Sequence, residues 1–165
     1  MIRILFLCTG NTCRSPMAAA LLRQALNKEL GERAAYIEIE SAGLGAVPAS
    51  LASSQAREVM REQGLDLNDH RARQLTPKII RSADIILTMT RYQKEQVLSM
   101  EPSARDRVWS LGELASLAAK DTTLDQDVAD PFGQGEETYR KVRRQLQVLL
   151  KPIVEYIEKI VSTEE

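Results

Sequence analysis

Cysteine and histidine are scarce in this chain, which has two cysteines and one histidine in 165 residues. Two thiols make no disulfide framework, and His70 with two cysteines makes no zinc site of the usual kind. The cysteines therefore serve thiol chemistry or packing. The sequence implies no metal and no organic cofactor.

Long hydrophobic runs and an excess of one charge are also missing. The apolar stretch near the start is about five residues long, too short for a signal peptide or a membrane span. The 22 Lys and Arg against 23 Asp and Glu leave a net charge of −1, so no bulk field attracts nucleic acid or an anionic membrane. We expect a cytoplasmic monomer that forms one domain over residues 1–165, with neither nucleic acid nor membrane as a partner.

Apolar patterning predicts strands that alternate with helices. The predicted strands cover residues 2–7, 36–39, 85–87 and 108–111, and the predicted helices cover 15–31, 48–63, a turn at 76–80, a segment from Thr90, and a last one across 139–160. This alternation predicts an α/β domain with a parallel sheet and helices on both faces. In such sheets, ligands bind beyond the carboxyl ends of the strands, where the strand order reverses.

The most informative segment follows the first strand and reads C-T-G-N-T-C-R-S from Cys8 to Ser15. A loop that enters a helix directs main-chain N–H groups and the positive end of the helix dipole at one point, which suits a phosphate. Arg14 can hold two phosphate oxygens with its planar guanidinium. Cys8, beside that cation and those dipoles, has its thiolate favoured and is the candidate nucleophile. The sequence thus predicts a phosphocysteine intermediate.

Other residues of this 8–15 loop support the same interpretation. Gly10 and Asn11 are residue types that most easily adopt positive φ, as a loop with converging N–H groups requires. Ser15 is expected to donate a hydrogen bond to the Cys8 sulfur or to cap the helix, and the two roles are compatible. The loop lacks the Gly-Lys-Ser/Thr ending of a nucleotide-hydrolysing Walker A motif.

A second candidate element is the loop Asp130-Pro131-Phe132-Gly133 before the last helix. A group that leaves phosphorus needs a proton, and Asp130 can supply it and later take one from water. Sequence alone does not show that Asp130 faces Cys8. Asp121, Asp125 and Asp127 are nearby alternatives.

Taken together, three motifs resemble the low-molecular-weight protein tyrosine phosphatase family: the segment from Cys8 to Ala18, Ser41-Ala42-Gly43, and Asp130-Pro131-Phe132. The resemblance implies a single three-layer domain with a four-stranded parallel sheet. It also implies Cys8 as nucleophile, Arg14 as phosphate clamp and Asp130 as general acid, with Asn11 held in place by Ser41 and His70.

The residues expected around the substrate depart from the usual tyrosine phosphatase pattern. Thr9 and Thr12 stand where bulky apolar residues are usual, and Phe132-Gly133 stands in place of a tyrosine pair. This pattern resembles the bacterial protein arginine phosphatases of the same family, which implies phosphorylated proteins as partners. A phosphoguanidinium can donate to Asp130 and Thr12 and stack on Phe132. Alternatively, Thr9 and Thr12 bond to nearby backbone and the substrate is phosphotyrosine.

Two remoter alternatives and one open role remain. Related arsenate reductases need further cysteines away from the loop, which this chain lacks, and a non-catalytic phosphate-binding module has no need of the cysteine, arginine and acid together. Cys13, expected in the substrate-binding loop, is either a small packing residue or a resolving thiol that traps oxidised Cys8 as a disulfide.

Overall fold

The computed structural model describes residues 1–164, in which four strands alternate with helices. In chain order the elements are β1 (Ile2–Cys8), α1 (Arg14–Leu30), β2 (Ile37–Gly43), α2 (Ser54–Arg61), α3 (Pro77–Ser82), β3 (Ile85–Thr88), α4 (Arg91–Met100), β4 (Val108–Ser110), α5 (Leu111–Ala119) and α6 (Glu136–Thr163), with short 3₁₀ helices at Gly31–Tyr36 and Pro102–Ala104. None of the helices within this range has both the length and the apolar character that crossing a membrane requires.

The strands form one parallel sheet in the order β2-β1-β3-β4. Strand β1 pairs with β2 from Ile2 opposite Ile37 to Cys8 opposite Gly43. The chain moves from β1 to one side for β2 and to the other side for β3 and β4, so the strand order reverses at β1. The predicted α/β fold with a four-stranded parallel sheet is confirmed, and the loop after β1 lies where such sheets bind ligands.

Alternate residues of β1 build two separate cores. Ile4 and Phe6 pack with α1, α2, α5 and α6, whereas Leu5 and Leu7 pack with α3 and α4. Because successive strand residues point to opposite faces, a strand that is apolar at both sets of positions must be covered on both sides. The domain therefore has three layers, with β1 in the middle of the sheet.

Two helix starts are set by side-chain caps. The Thr90 hydroxyl accepts a hydrogen bond from the main-chain N–H of Gln93, and the Gln93 side chain accepts one from the N–H of Thr90. Ser110 and Glu113 make the same reciprocal pair at the start of α5. A helix from Thr90 was predicted, but α5 was not, although Ser110 and Glu113 have the spacing of a capping box.

The predicted helix over 48–63 is wrong in its first third. Helix α2 begins only after Ser53, whose side chain accepts from the N–H of Ala56. Before it, the N–H of Ala49 bonds to the Ala72 carbonyl, and Leu51 forms a bridge with Arg71. In these long-range bonds, main-chain groups of the 48–53 segment are paired with distant residues and do not form helical hydrogen bonds.

Glu62 joins the end of α2 to α6. Its carboxylate accepts hydrogen bonds from Arg140 at 2.9 Å and 3.0 Å and from Arg143 at 3.1 Å. These bonds, chiefly those of Arg140, lower the pKa of Glu62 from 4.5 to about 2. Protonation of Glu62 therefore favours the unfolded chain.

We predict that Glu62→Gln lowers the urea midpoint at pH 7, and that this deficit shrinks as the pH falls. The reason is that the folded-state pKa is depressed, so the contribution of the carboxylate is complete above about pH 4.5 and is lost as the pH falls towards about 2. Urea titrations at several pH values measure the difference. Glu155→Gln, at an exposed position of α6, is the control, and a deficit independent of pH contradicts the prediction.

Candidate active site

The 8–15 loop leaves β1 at its carboxyl end and runs into α1, and several of its carbonyl groups are bonded to the surrounding structure. The Cys8, Thr9 and Thr12 carbonyls accept from the N–H groups of residues 44, 45 and 53 at 3.0, 2.9 and 2.9 Å. The N–H groups of residues 10–13 have no acceptor among the described residues 1–164. With these carbonyls bound outside, the N–H groups are left as donors for an anion at the start of the helix.

Asn11 holds the loop in this shape. It has a φ of 56° and is fully buried. Its side chain donates to Ser41 at 3.0 Å and accepts from the N–H of Arg73 at 3.0 Å. The Asn11 carbonyl accepts from Nε2 of His70 at 2.7 Å, so that nitrogen carries a proton, and burial lowers the pKa of His70. Ser41 and His70 thus both contact Asn11, whereas Gly10, expected to share the positive φ, does not have it.

Ser15 lies directly behind the candidate nucleophile. Its hydroxyl oxygen is 2.9 Å from Sγ of Cys8 and accepts a hydrogen bond from the Asn11 amide at 2.8 Å. Because that oxygen accepts from Asn11, its own hydrogen is available to donate to the sulfur. The alternative role as helix cap is wrong: α1 begins at Arg14, preceded by Cys13, with no side-chain cap.

Arg14 and Asp130 meet across the mouth of the loop. Arg14 is only 5% exposed and donates to the Val128 carbonyl at 3.0 Å. Its second terminal nitrogen lies 3.5 Å from the Asp130 carboxylate. A buried guanidinium anchored in this way presents a fixed positive charge beside Cys8.

Of the aspartates considered, Asp130 is the one that lines the cleft containing Cys8. Asp127 pairs with Arg91, and the Asp125 carboxylate accepts from the side chain of Gln145. Asp121 bonds to Thr123. The structure therefore brings Asp130 into the same cleft as the thiol, while its neighbours are engaged elsewhere.

The cleft above Cys8 has a volume of about 410 Å³ and a mixed wall. Phe132, 75% exposed, and Val47 supply apolar surface, and the two threonines supply hydroxyls. The Thr9 hydroxyl accepts from the Gln93 amide at 3.3 Å, and the Thr12 hydroxyl contacts Sγ of Cys13 at 3.6 Å. Neither hydroxyl bonds to backbone within residues 1–164, so that alternative for the threonines is wrong.

Comparison with known proteins agrees with this geometry. The chain matches the model of the low molecular weight phosphotyrosine protein phosphatases over residues 3–163. The chain belongs to this family. It is 40% identical over 156 residues to the protein-arginine-phosphatase of Geobacillus stearothermophilus, a match that covers 94% of this chain and 96% of that one. It is 37% identical over 144 residues to the probable low molecular weight protein-tyrosine-phosphatase EpsP of Ralstonia nicotianae, with 87% and 88% covered.

A solved relative has the same fold. It is a cysteine-to-serine variant of YwlE arginine phosphatase with a phosphorylated active-site serine, and it superposes with a TM-score of 0.83 at 35% identity over 96% of this chain and 97% of that one. Membership of the low molecular weight phosphatase family confirms the resemblance found in the sequence. This membership favours a phosphatase over the two other possibilities, an arsenate reductase and a non-catalytic phosphate-binding module.

In this phosphatase, Cys13 packs into the domain behind the loop. It is 5% exposed, and its sulfur lies 3.1 Å from the hydroxyl of Tyr139 and 3.6 Å from that of Ser53. Burial, followed by the contact with Cys13, raises the pKa of Tyr139 to about 12, so the phenol keeps its proton at neutral pH. Both cysteines are free thiols. These contacts fit the packing role, and the resolving-thiol role stays a prediction.

Sequence reasoning missed several residues that support the phosphatase loop. Arg73 and Gln93 bond to Asn11 and Thr9 from segments far along the chain. Neither residue was predicted as part of the site, and nothing in the sequence points to Arg73. Gly43 was noted within a motif, and the structure gives its reason: a Cβ there would lie 2.6 Å from the Thr9 carbonyl oxygen.

We predict that Gly43→Ala displaces the 8–15 loop. The added methyl group meets rigid backbone, so we expect a loss of stability of about 1–3 kcal/mol. Because small displacements of reacting groups are costly, kcat/KM for p-nitrophenyl phosphate should fall by roughly 100-fold. Urea unfolding and steady-state kinetics measure the two effects. Gly45→Ala, whose methyl would have no heavy atom within 4 Å, is the stability control; equal stability of the two variants contradicts the prediction.

Proposed function

We propose that this chain is a protein arginine phosphatase that works through a phosphocysteine intermediate, with Cys8 as nucleophile, Arg14 as phosphate clamp and Asp130 as general acid and base. The observation that carries the choice of substrate is the wall of the cleft. There, Thr12 presents a hydroxyl with no backbone partner among the described residues, in the cleft that Asp130 and Phe132 also line. The relative named protein-arginine-phosphatase, at 40% identity, supports the proposal.

In the first step, the Cys8 thiolate attacks phosphorus and the bond from phosphorus to the arginine nitrogen breaks. Asp130 gives its proton to that nitrogen, so the products are arginine and phosphocysteine. The N–H groups of residues 10–13 and the guanidinium of Arg14 stabilise the negative charge on the phosphoryl oxygens. The phosphorylated serine in the solved YwlE variant supports a covalent intermediate of this kind.

In the second step, water attacks phosphorus and the bond to sulfur breaks. The Asp130 carboxylate takes a proton from that water, inorganic phosphate leaves, and the thiolate of Cys8 is restored. The Ser15 hydroxyl, 2.9 Å from the sulfur, donates to the departing thiolate. That hydrogen bond stabilises the negative charge that returns to the sulfur when its bond to phosphorus breaks.

The polar part of the wall suits a guanidinium more than a phenyl ring. A phosphoguanidinium carries several N–H donors, and buried donors need acceptors. The carbonyl oxygen of the Asp130 carboxyl group, which can accept while the group carries its proton, and the Thr12 hydroxyl are such acceptors. The exposed face of Phe132 can stack on the guanidinium plane. A phenyl ring offers neither group a hydrogen bond.

The second candidate is phosphotyrosine, which the apolar surface of Val47 and Phe132 favours. The EpsP relative is named as a probable tyrosine phosphatase, at slightly lower identity. We rank this substrate second because an aromatic ring offers no hydrogen bond to the Thr12 hydroxyl, whose partner in the structure is the weakly bonding sulfur of Cys13.

We also propose a cytoplasmic location and a monomeric state. Cys8 and Cys13 are both free thiols, which suits a reducing compartment, where disulfides are rare. A thiolate nucleophile such as that proposed for Cys8 works only while it stays reduced. As a protein phosphatase, the chain acts on phosphorylated proteins.

We predict that Cys8→Ser abolishes turnover of both phosphoarginine and phosphotyrosine peptides. A serine hydroxyl at neutral pH is a far weaker nucleophile than a thiolate and a poorer leaving group from phosphorus. Phosphate release measures turnover, and circular dichroism checks that the variant is folded. Turnover in the folded variant at the parent rate rules out sulfur as the nucleophile.

We predict that the parent protein prefers phosphoarginine peptides and that Thr12→Ile shifts this preference towards phosphotyrosine by about tenfold or more. Loss of a hydrogen bond to a charged group costs roughly 1.5–3 kcal/mol, and the added methylene packs on the ring. Ratios of kcat/KM for matched peptides measure the shift. Thr12→Val, which removes the hydroxyl at nearly constant size, should lose activity on phosphoarginine without the gain on phosphotyrosine. A parent that prefers phosphotyrosine, with a ratio that Thr12→Ile does not alter, contradicts the substrate assignment.

A further inference from the structure

Asp130 is held in place from behind, by side chains that take no part in the proposed chemistry. Its own carboxylate is 55% exposed and has two contacts, the Phe132 N–H at 3.1 Å and Arg14 at 3.5 Å. The first contact is local to the loop and the second is long for a hydrogen bond. The position of the carboxylate therefore depends on the backbone of residues 125–129, the segment that leads to it.

Gln145 of α6 binds that segment with both ends of its amide. Its oxygen accepts from the N–H of Ala129 at 3.2 Å, and its nitrogen donates to the Asp127 carbonyl at 3.1 Å and to the Asp125 carboxylate at 2.9 Å. Only one orientation of the amide satisfies an N–H on one side and two acceptors on the other. Gln145 thus fixes the residue immediately before Asp130.

Arg91 at the start of α4 binds the same segment. Its main-chain N–H and its guanidinium donate to the Asp127 carboxylate at 2.9, 3.3 and 3.2 Å. The pair is largely exposed, so by itself it adds little to stability. The pair instead restricts the position of the Asp127 carboxylate, because three hydrogen bonds from Arg91 converge on it.

The middle of the segment connects to the phosphate clamp. The Val128 N–H donates to the Met89 carbonyl at 2.8 Å, and the Val128 carbonyl accepts from Arg14 at 3.0 Å. The segment is therefore bonded to α4, to α6 and to Arg14. A shift of its backbone would move Asp130 relative to the phosphoryl group.

We propose that Gln145 is a positioning residue that sets the distance from the Asp130 carboxyl to the leaving group, with the Arg91–Asp127 pair as the second anchor of the segment. This inference rests on the proposed role of Asp130 as general acid. Gln145 acts through the backbone of the segment. Both N–H groups and the oxygen of its amide are bonded to residues 125–129.

The dependence of rate on the leaving group separates positioning from mere structural support. A proton donor matters most when the leaving group is basic, and hardly at all when the leaving group departs readily as an anion. A displaced acid therefore slows cleavage of phenyl phosphate more than cleavage of p-nitrophenyl phosphate. A general loss of folded enzyme slows both equally.

The experiment measures kcat/KM for a series of aryl phosphates in four proteins: the parent, Gln145→Met, Gln147→Met and Asp130→Asn. Gln147 lies on the same helix and its amide bonds to Gln63, away from the segment, so it is the matched control. We expect Gln145→Met to reduce the phenyl phosphate rate about tenfold relative to the p-nitrophenyl phosphate rate, a partial loss of the roughly 10²–10⁴-fold that general acid catalysis contributes. The control Gln147→Met should show the parent's dependence of kcat/KM on the leaving group. Asp130→Asn should show the steepest dependence of the four proteins.

Each failure has a separate meaning. If kcat/KM depends steeply on the leaving group in Asp130→Asn but depends on it in Gln145→Met as in the parent, the inference about Gln145 is overturned and the proposed function stands. If Asp130→Asn itself is no steeper than the parent, the role of Asp130 as acid fails, and the inference fails with it. Gln145→Glu loses the donor and places a second carboxylate against that of Asp125, so its rate should depend on the leaving group at least as steeply as that of Gln145→Met. A dependence equal to the parent's in both variants overturns the inference.

Discussion

The structure of the site depends on the direction of the peptide groups in the 8–15 loop. Four of its carbonyls, those of residues 8, 9, 11 and 12, are bonded outside, to the 44–45 turn, to the residue before α2 or to His70. This arrangement requires residue 11 at positive φ, which is unfavourable for most residues with a side chain and is tolerated best by Asn and Asp. The buried bonds of the Asn11 amide to Ser15, Ser41 and Arg73 stabilise that conformation. The N–H groups available above the thiol are the result.

Parallel topology explains why distant segments reach this loop. The carboxyl ends of β1, β2 and β3 meet at one edge of the sheet, so the turns that follow them lie side by side. Gly43 ends β2 against the Thr9 carbonyl, and Met89 follows β3 and binds the segment that leads to Asp130. The carboxyl of Asp130 is far along the chain from the thiol and the guanidinium, yet all three are attached to the same sheet edge.

The proposed anion site and the wall of the cleft are made by different kinds of groups. Main-chain N–H groups and Arg14 form the proposed anion site, and their geometry depends on the fold. Side chains such as those of Thr12 and Phe132 form the wall. This difference is consistent with relatives of one family that carry arginine phosphatase and tyrosine phosphatase names.

Periodicity and short-range spacing are local properties, so the alternation of strands and helices, the loop after β1 and the residue types of the candidate chemistry could be predicted from the sequence. It did not determine that α2 starts at Ser54, since part of the 48–53 segment bonds to residues that are distant in sequence. Local spacing also did not distinguish Asp130 from Asp127 and Asp125, and the choice of Asp130 rested on the resemblance of Asp130-Pro131-Phe132 to the family motif. The tertiary structure supplies the physical reason, because Arg91 and Gln145 engage the other two carboxylates and Asp130 is left in the cleft with the thiol.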